Sequence, residues 1–115
     1  VIYISDQIPS NTLMVDFVSL NAIGFVAIHA DKNGEPGDII GITSLLGEGE
    51  SNDVKINLTR NTVDQEVLYA MPHKDNGNGI FKKEEDIPFK DELNEDLWME
   101  FQIFSDAEIP TDINI

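Results

Sequence analysis

A chain of 115 residues, 41% hydrophobic and 25% charged, falls within the range of ordinary globular domains. It is long enough to bury roughly 60–70% of the surface its unfolded chain would expose, which excludes disorder of the whole. Against 7 Lys and Arg stand 22 Asp and Glu, a formal net charge of −15 that repels phosphates and anionic headgroups and excludes nucleic acid as a partner.

With no cysteine, the chain can have no disulfide framework, thiolate zinc site, cysteine nucleophile or blue-copper centre. No stretch approaches the roughly 20 apolar residues of a membrane span, so direct membrane insertion is not expected. Acidity of this degree suits a salty or calcium-containing exterior, although the usage of Ile, Asn and Lys departs from that of a salt-in halophile. The start at Val1 reads as a processed protein or an excised module, which leans towards an extracellular setting.

Strands are predicted nearly throughout. After a first segment at Val1 to Ser5, residues Thr12 to Leu20 alternate, with Leu13, Val15 and Phe17 on one face and Met14, Asp16 and Val18 on the other. Gly24 to Ala30 and Asp38 to Leu46 follow, separated by the turn dipeptides Asn33-Gly34 and Pro36-Gly37. "DVKINL" repeats the alternation, with Val54, Ile56 and Leu58 facing in. Glu66 to Pro72 and "WMEFQIF" complete about seven strands, with Met99, Phe101 and Ile103 opposed by Trp98, Glu100 and Gln102. Short strands spaced by turn clusters predict an all-β, immunoglobulin-like antiparallel β-sandwich. Helix is expected only as a turn or two in "KEEDIPFKDELNEDLW", because Pro88 interrupts anything longer. Residues 1–115 read as a single domain with its core over about 12–104, and ends 1–10 and 105–115 that are flexible or donate a strand.

Two loops concentrate polar groups. The first holds His29, Asp31, Asn33, Gly34, Glu35 and Asp38, where oxygen ligands beside a glycine turn would suit calcium but also serve simply to turn the chain. The second begins at His73 and runs through an acid-rich stretch to the last strand, a length that marks a functional connection. Here Asp75, Asn76 and Asn78 could begin a calcium loop that Glu85 or Asp86 closes. The helix-loop-helix calcium pattern is not met, because Gly77 and Gly79 occupy its ligand positions.

A transition metal shared by His29 and His73 is not expected. As immunoglobulin-type strands C and F, their strands would be antiparallel neighbours whose following loops leave from opposite ends, separating the imidazoles; Met71 reads as core. No serine-nucleophile elbow or phosphate-binding glycine loop occurs, and paired carboxylates say little on so acidic a chain. No catalytic residues are therefore named. Asn57-Leu58-Thr59 is an N-glycosylation triplet whose Asn57 faces outward. Trp98 is expected to lie covered by the acidic loop before it.

"FVAIHADKNGEPGDIIG", "NDVKINL" and "LYAMPHKDNGNGIF", taken together over residues 4 to 104, resemble an uncharacterised domain family of secreted and surface-anchored proteins of archaea and bacteria. That family is often repeated within one polypeptide and carries two loops of the type H-x-D-x-N-G. The resemblance implies an extracellular β-sandwich in which His29, Gly34, Gly37, His73 and Asp75 match the family pattern, with one residue fewer after Asp75 than is common. No activity is assigned to it. The reading is a non-catalytic surface, structural or adhesive module, a subunit of a surface filament or layer that pairs edge strands with other copies or other surface proteins, Val1 to Ser5 or Ile109 to Ile115 being the donated strand. The alternatives are a calcium-dependent ligand- or glycan-binding domain using the acidic loop at residues 73–97, and a hydrolase.

Overall fold

The computed structural model describes residues 1–106, and its seven strands form two antiparallel sheets. Strands β1 (Ile2–Tyr3), β2 (Thr12–Leu20) and β5 (Gly49–Asn57) make one sheet in the order β1-β2-β5. The other has the order β4-β3-β6-β7, from β3 (Gly24–Lys32), β4 (Glu35–Ile42), β6 (Val67–Lys74) and β7 (Met99–Gln102). The expected sandwich is thus present. In the constant-type immunoglobulin arrangement the fourth strand pairs with the fifth; here it joins the third.

The alternation read from the sequence places the core except in β2, where Val18 rather than Phe17 is buried with Leu13 and Val15, because the ladder to β5 is interrupted at Asp16, opposite the positive-φ Asp53. Leu13, Val15, Val18 and Ile56 from one sheet meet Val26, Ile28, Leu68, Ala70, Phe101 and Ile103 from the other, all buried. The open sides are tied across. Gln7 forms a parallel bridge with Ile103, and the Phe104 amide donates to the Gln7 carbonyl at 2.9 Å. Opposite, Gly41 bridges Leu58 and the Thr59 amide donates to the Ile40 carbonyl at 2.8 Å.

Three expectations need revision. Val1 to Ser5 does not stand free: Ile2 is buried and pairs with Val18, and the Val1 amine donates to the Ser19 carbonyl, because the core takes the apolar side chain. Ile109 to Ile115 lies outside the described residues. Strand β4 begins at Glu35 rather than Asp38, since Asn33-Gly34 alone makes the hairpin turn, both residues with positive φ (55° and 86°) as a tight two-residue connection requires. Pro36-Gly37 is no turn. It sits in β4 where the register shifts between His29 and Asp31, a bulge that leaves Gly37 out of the ladder.

Candidate functional site

Strands β3 and β6 are buried on both faces, six consecutive residues from Gly24 to His29 and six from Leu68 to His73. Val26, Ile28, Leu68 and Ala70 point into the sandwich. Their alternates, Phe25, Ala27, His29, Tyr69, Met71 and His73, therefore occupy the opposite, outer face. The connection at residues 75–98 folds over that face, and its Phe81 packs edge-on against both Phe25 (centroids 5.4 Å apart) and His73 (5.3 Å).

The histidines are brought together, which overturns the expected separation. Strands β3 and β6 are indeed antiparallel neighbours, but both residues lie within the strands rather than in the following loops, and the register puts them on one face. His29 stands opposite Tyr69 and His73 opposite Phe25, with the Ala27–Met71 pair between. The rings lean across that pair until their centroids are 5.8 Å apart and their planes 10° from parallel. Ala27, with only a methyl group, leaves room for this.

Each imidazole is fixed by a backbone carbonyl. Nδ1 of His29 lies 2.7 Å from the Gly37 oxygen freed by the β4 bulge, and Nδ1 of His73 lies 2.7 Å from the Asp86 oxygen. A carbonyl only accepts, so both Nδ1 atoms carry hydrogen, and in the neutral ring each Nε2 is a bare lone pair. Both Nε2 atoms are buried and have no hydrogen-bond partner among the described residues. Burial pushes both pKa values below the ordinary histidine value, against the opposing effect of the carbonyl bonds, which keeps the rings neutral.

The five residues named for calcium all lie in the roofing loop, where its own backbone engages their side chains. Both Asp75 carboxylate oxygens accept from Gly77 or Gly79, Asn76 Oδ1 accepts from Asn78, and Asn78 Oδ1 accepts from Ile80. The Asp86 carboxylate is fully buried and accepts the amides of Asn76 (2.9 Å) and Lys82 (2.6 Å), while Glu85 accepts the Asn76 side-chain amide. Among the described residues no three His, Asp or Glu side chains are gathered to hold an ion. In the first loop, Asp31 accepts the Gly34 amide and the Tyr69 hydroxyl (2.7 Å), a bond that pushes the Tyr69 pKa up to about 12; Glu35 and Asp38 are exposed.

Asn57 is exposed at the end of β5. Trp98 is not covered. It meets Tyr69 edge-on at 6.2 Å but remains 45% exposed, because the roof's aromatic contacts go through Phe81 to Phe25 and His73. Tyr69, Phe81 and Gly24 were not singled out from the sequence. At Gly24 a Cβ would stand 2.2 Å from the His73 carbonyl oxygen, so only glycine lets β3 and β6 approach there.

Residues 1–101 match the family described as a domain of unknown function, DUF7282. Cell surface glycoprotein 1 of Haloarcula hispanica is 36% identical over 70 residues, covering 60% of this chain and 7% of that protein. Cell surface glycoprotein 2 of the same organism is 39% identical over 77 residues, covering 65% of this chain and 8% of that protein. The chain thus spans only a small part of the curated relatives it matches. No solved structure matches it. This chain belongs to the DUF7282 family, and with relatives that are cell surface glycoproteins its setting is extracellular or at the cell surface.

Proposed function

We propose that the chain is a non-catalytic structural module of a longer cell-surface polypeptide, holding neighbouring segments apart along its strand direction. The observation that supports this is that the first and last described segments reach opposite ends of the strands. The Val1 amine sits at Ser19, near one end of β2, whereas the Ser105 amide donates to Asp64 in the segment that also bonds Ser10, at the other end. A unit traversed from end to end can be strung with others, and the short match to long relatives suits such stringing.

The test is a polypeptide of one, two and three copies joined in tandem, measured by small-angle X-ray scattering. The maximum dimension should rise by a constant increment per copy. A dimension that levels off would mean that copies fold back on one another, and the spacer role would be wrong.

Lateral assembly is the finer part of the reading. Among the described residues strand β5, with nine residues, is an edge of the three-stranded sheet, and its backbone groups could pair with another copy. The charge of −15 opposes contact between copies, so association should appear in about 1 M salt, where the screening length is about 3 Å. Sedimentation showing monomers at every salt concentration would remove the lateral contact while leaving the spacer role standing. A glycan on exposed Asn57, read by mass after expression in a glycosylating host, completes the proposal.

A further inference from the structure

We propose that the paired, nearly parallel histidine rings form a binding site for copper(I), held edge to edge by Nε2 of His29 and Nε2 of His73, with Met71 on the same face between them. The first support is the orientation of the rings. Gly37, which anchors His29, belongs to β4 on the far side of β3, whereas Asp86, which anchors His73, precedes the segment that pairs with the end of β6 on the side where β7 has stopped. With the two Nδ1 atoms drawn outward to opposite flanks, the two Nε2 atoms turn inward, towards the gap between β3 and β6.

Burial is the second. His29 is 6% and His73 3% exposed, and neither Nε2 has a partner among the described residues. A buried acceptor left bare costs about 1–3 kcal/mol, and two such atoms side by side in one structure call for a common partner. The Nδ1–H to backbone carbonyl bond is also the support that metal-bound imidazoles almost always have, because it fixes the tautomer and makes the other nitrogen a better donor.

Spacing and donor type select the ion. With a metal–nitrogen distance of about 2 Å, two imidazoles that point their Nε2 edges at one ion from opposite sides, each in its own plane, have centroids about 6 Å apart, and these stand 5.8 Å apart with planes 10° from parallel. Zinc wants four ligands and calcium six or more oxygens, and among the described residues no carboxylate cluster is at hand to supply them. Imidazole suits copper, a thioether selects its monovalent state, and that closed-shell ion accepts two or three ligands. Charge acts both ways: Lys83 opposes a cation at His29, while Asp86 and Asp96 favour one at His73.

The experiment is anaerobic titration of the folded protein with copper(I) against a chromophoric copper(I) chelator, alongside silver(I) titration followed by nitrogen NMR of the histidine rings. One equivalent of copper(I) should leave the chelator. Silver(I) should displace both Nε2 resonances, saturating at one equivalent. The H29F/H73F protein, which keeps the net charge and the aromatic bulk, should lose the uptake, and Met71→Leu should weaken it without abolishing it. Uptake by H29F/H73F equal to that of the parent protein would show only general attraction to an acidic surface and would overturn the site. If that variant does not fold, the NMR on the parent protein decides: Nε2 resonances that stay in place through one equivalent of silver(I) overturn it equally.

Discussion

Asp86 holds His73 and the roof above it through different atoms. Its backbone carbonyl accepts His73 Nδ1 at 2.7 Å, while its buried carboxylate accepts the amides of Asn76 and Lys82. One residue thereby fixes the ring on the sheet and closes the loop that covers it. Asp86→Ala leaves both part-buried amides without their acceptor and should cost about 2–6 kcal/mol, at about 1–3 kcal/mol for each. Urea denaturation gives the loss, and hydrogen exchange should show Asn76 and Lys82 as the amides that lose most protection. A variant as stable as the parent protein would mean that the roof is held by its aromatic contacts alone.

Close approach of β3 and β6 at Gly24 should make that position intolerant. Gly24→Ala places a methyl group 2.2 Å from the His73 carbonyl oxygen and should destabilise by about 1–3 kcal/mol or more, the range for overpacked sites. Gly47→Ala, with open space around the added carbon, should change stability by less than about 0.5 kcal/mol. Chemical denaturation of the two variants side by side is the measurement.

The buried histidines make stability depend on pH in a fixed direction. Their folded-state pKa values lie below the ordinary 6.5, so the unfolded chain binds protons first as the pH falls. Their contribution is complete above about 6.5 and declines as the pH drops from there towards the lowered folded values. Urea midpoints in the presence of a metal chelator should therefore fall between pH 7 and 5. The same series on H29F/H73F should be flatter, and equal slopes would place the proton uptake elsewhere.

Calcium should not stabilise the fold specifically. The oxygens of Asp75, Asn78 and Asp86 that a calcium ion would need already accept amides of their own loop. Melting midpoints in calcium and in magnesium at equal ionic strength should coincide. A shift confined to calcium would show that the loop rearranges to release those oxygens.

The bounds of strand β2 were legible to the residue, Thr12 to Leu20, but its faces were read correctly only as far as Val15, because the alternation slips by one at Asp16-Phe17 and turns Val18 inward in place of Phe17. Strand β4 was misplaced at its start, since Pro36-Gly37 reads as a turn and only the pairing with β3 reveals a bulge. For the histidine pair the sequence did carry a signal. "FVAIH" and "LYAMPH" are nearly unbroken apolar runs, the mark of strands covered on both faces. Read so, they require a second cover beyond the opposite sheet, and the long acidic connection supplies it. The tilt of the two rings across Ala27 depends on register and on the two carbonyl anchors, which no local pattern encodes.

The parallel pairing of Gln7 with Ile103 has a mechanical consequence. The first and last described segments run side by side in the same direction, with Val1 and Ser105 towards opposite ends, so tension applied across those two ends loads their mutual hydrogen bonds simultaneously in shear instead of peeling them one after another. Resistance to pulling is governed by the rate of unfolding rather than by equilibrium stability. A unit clamped in this way can yield slowly under load even when its equilibrium stability is ordinary.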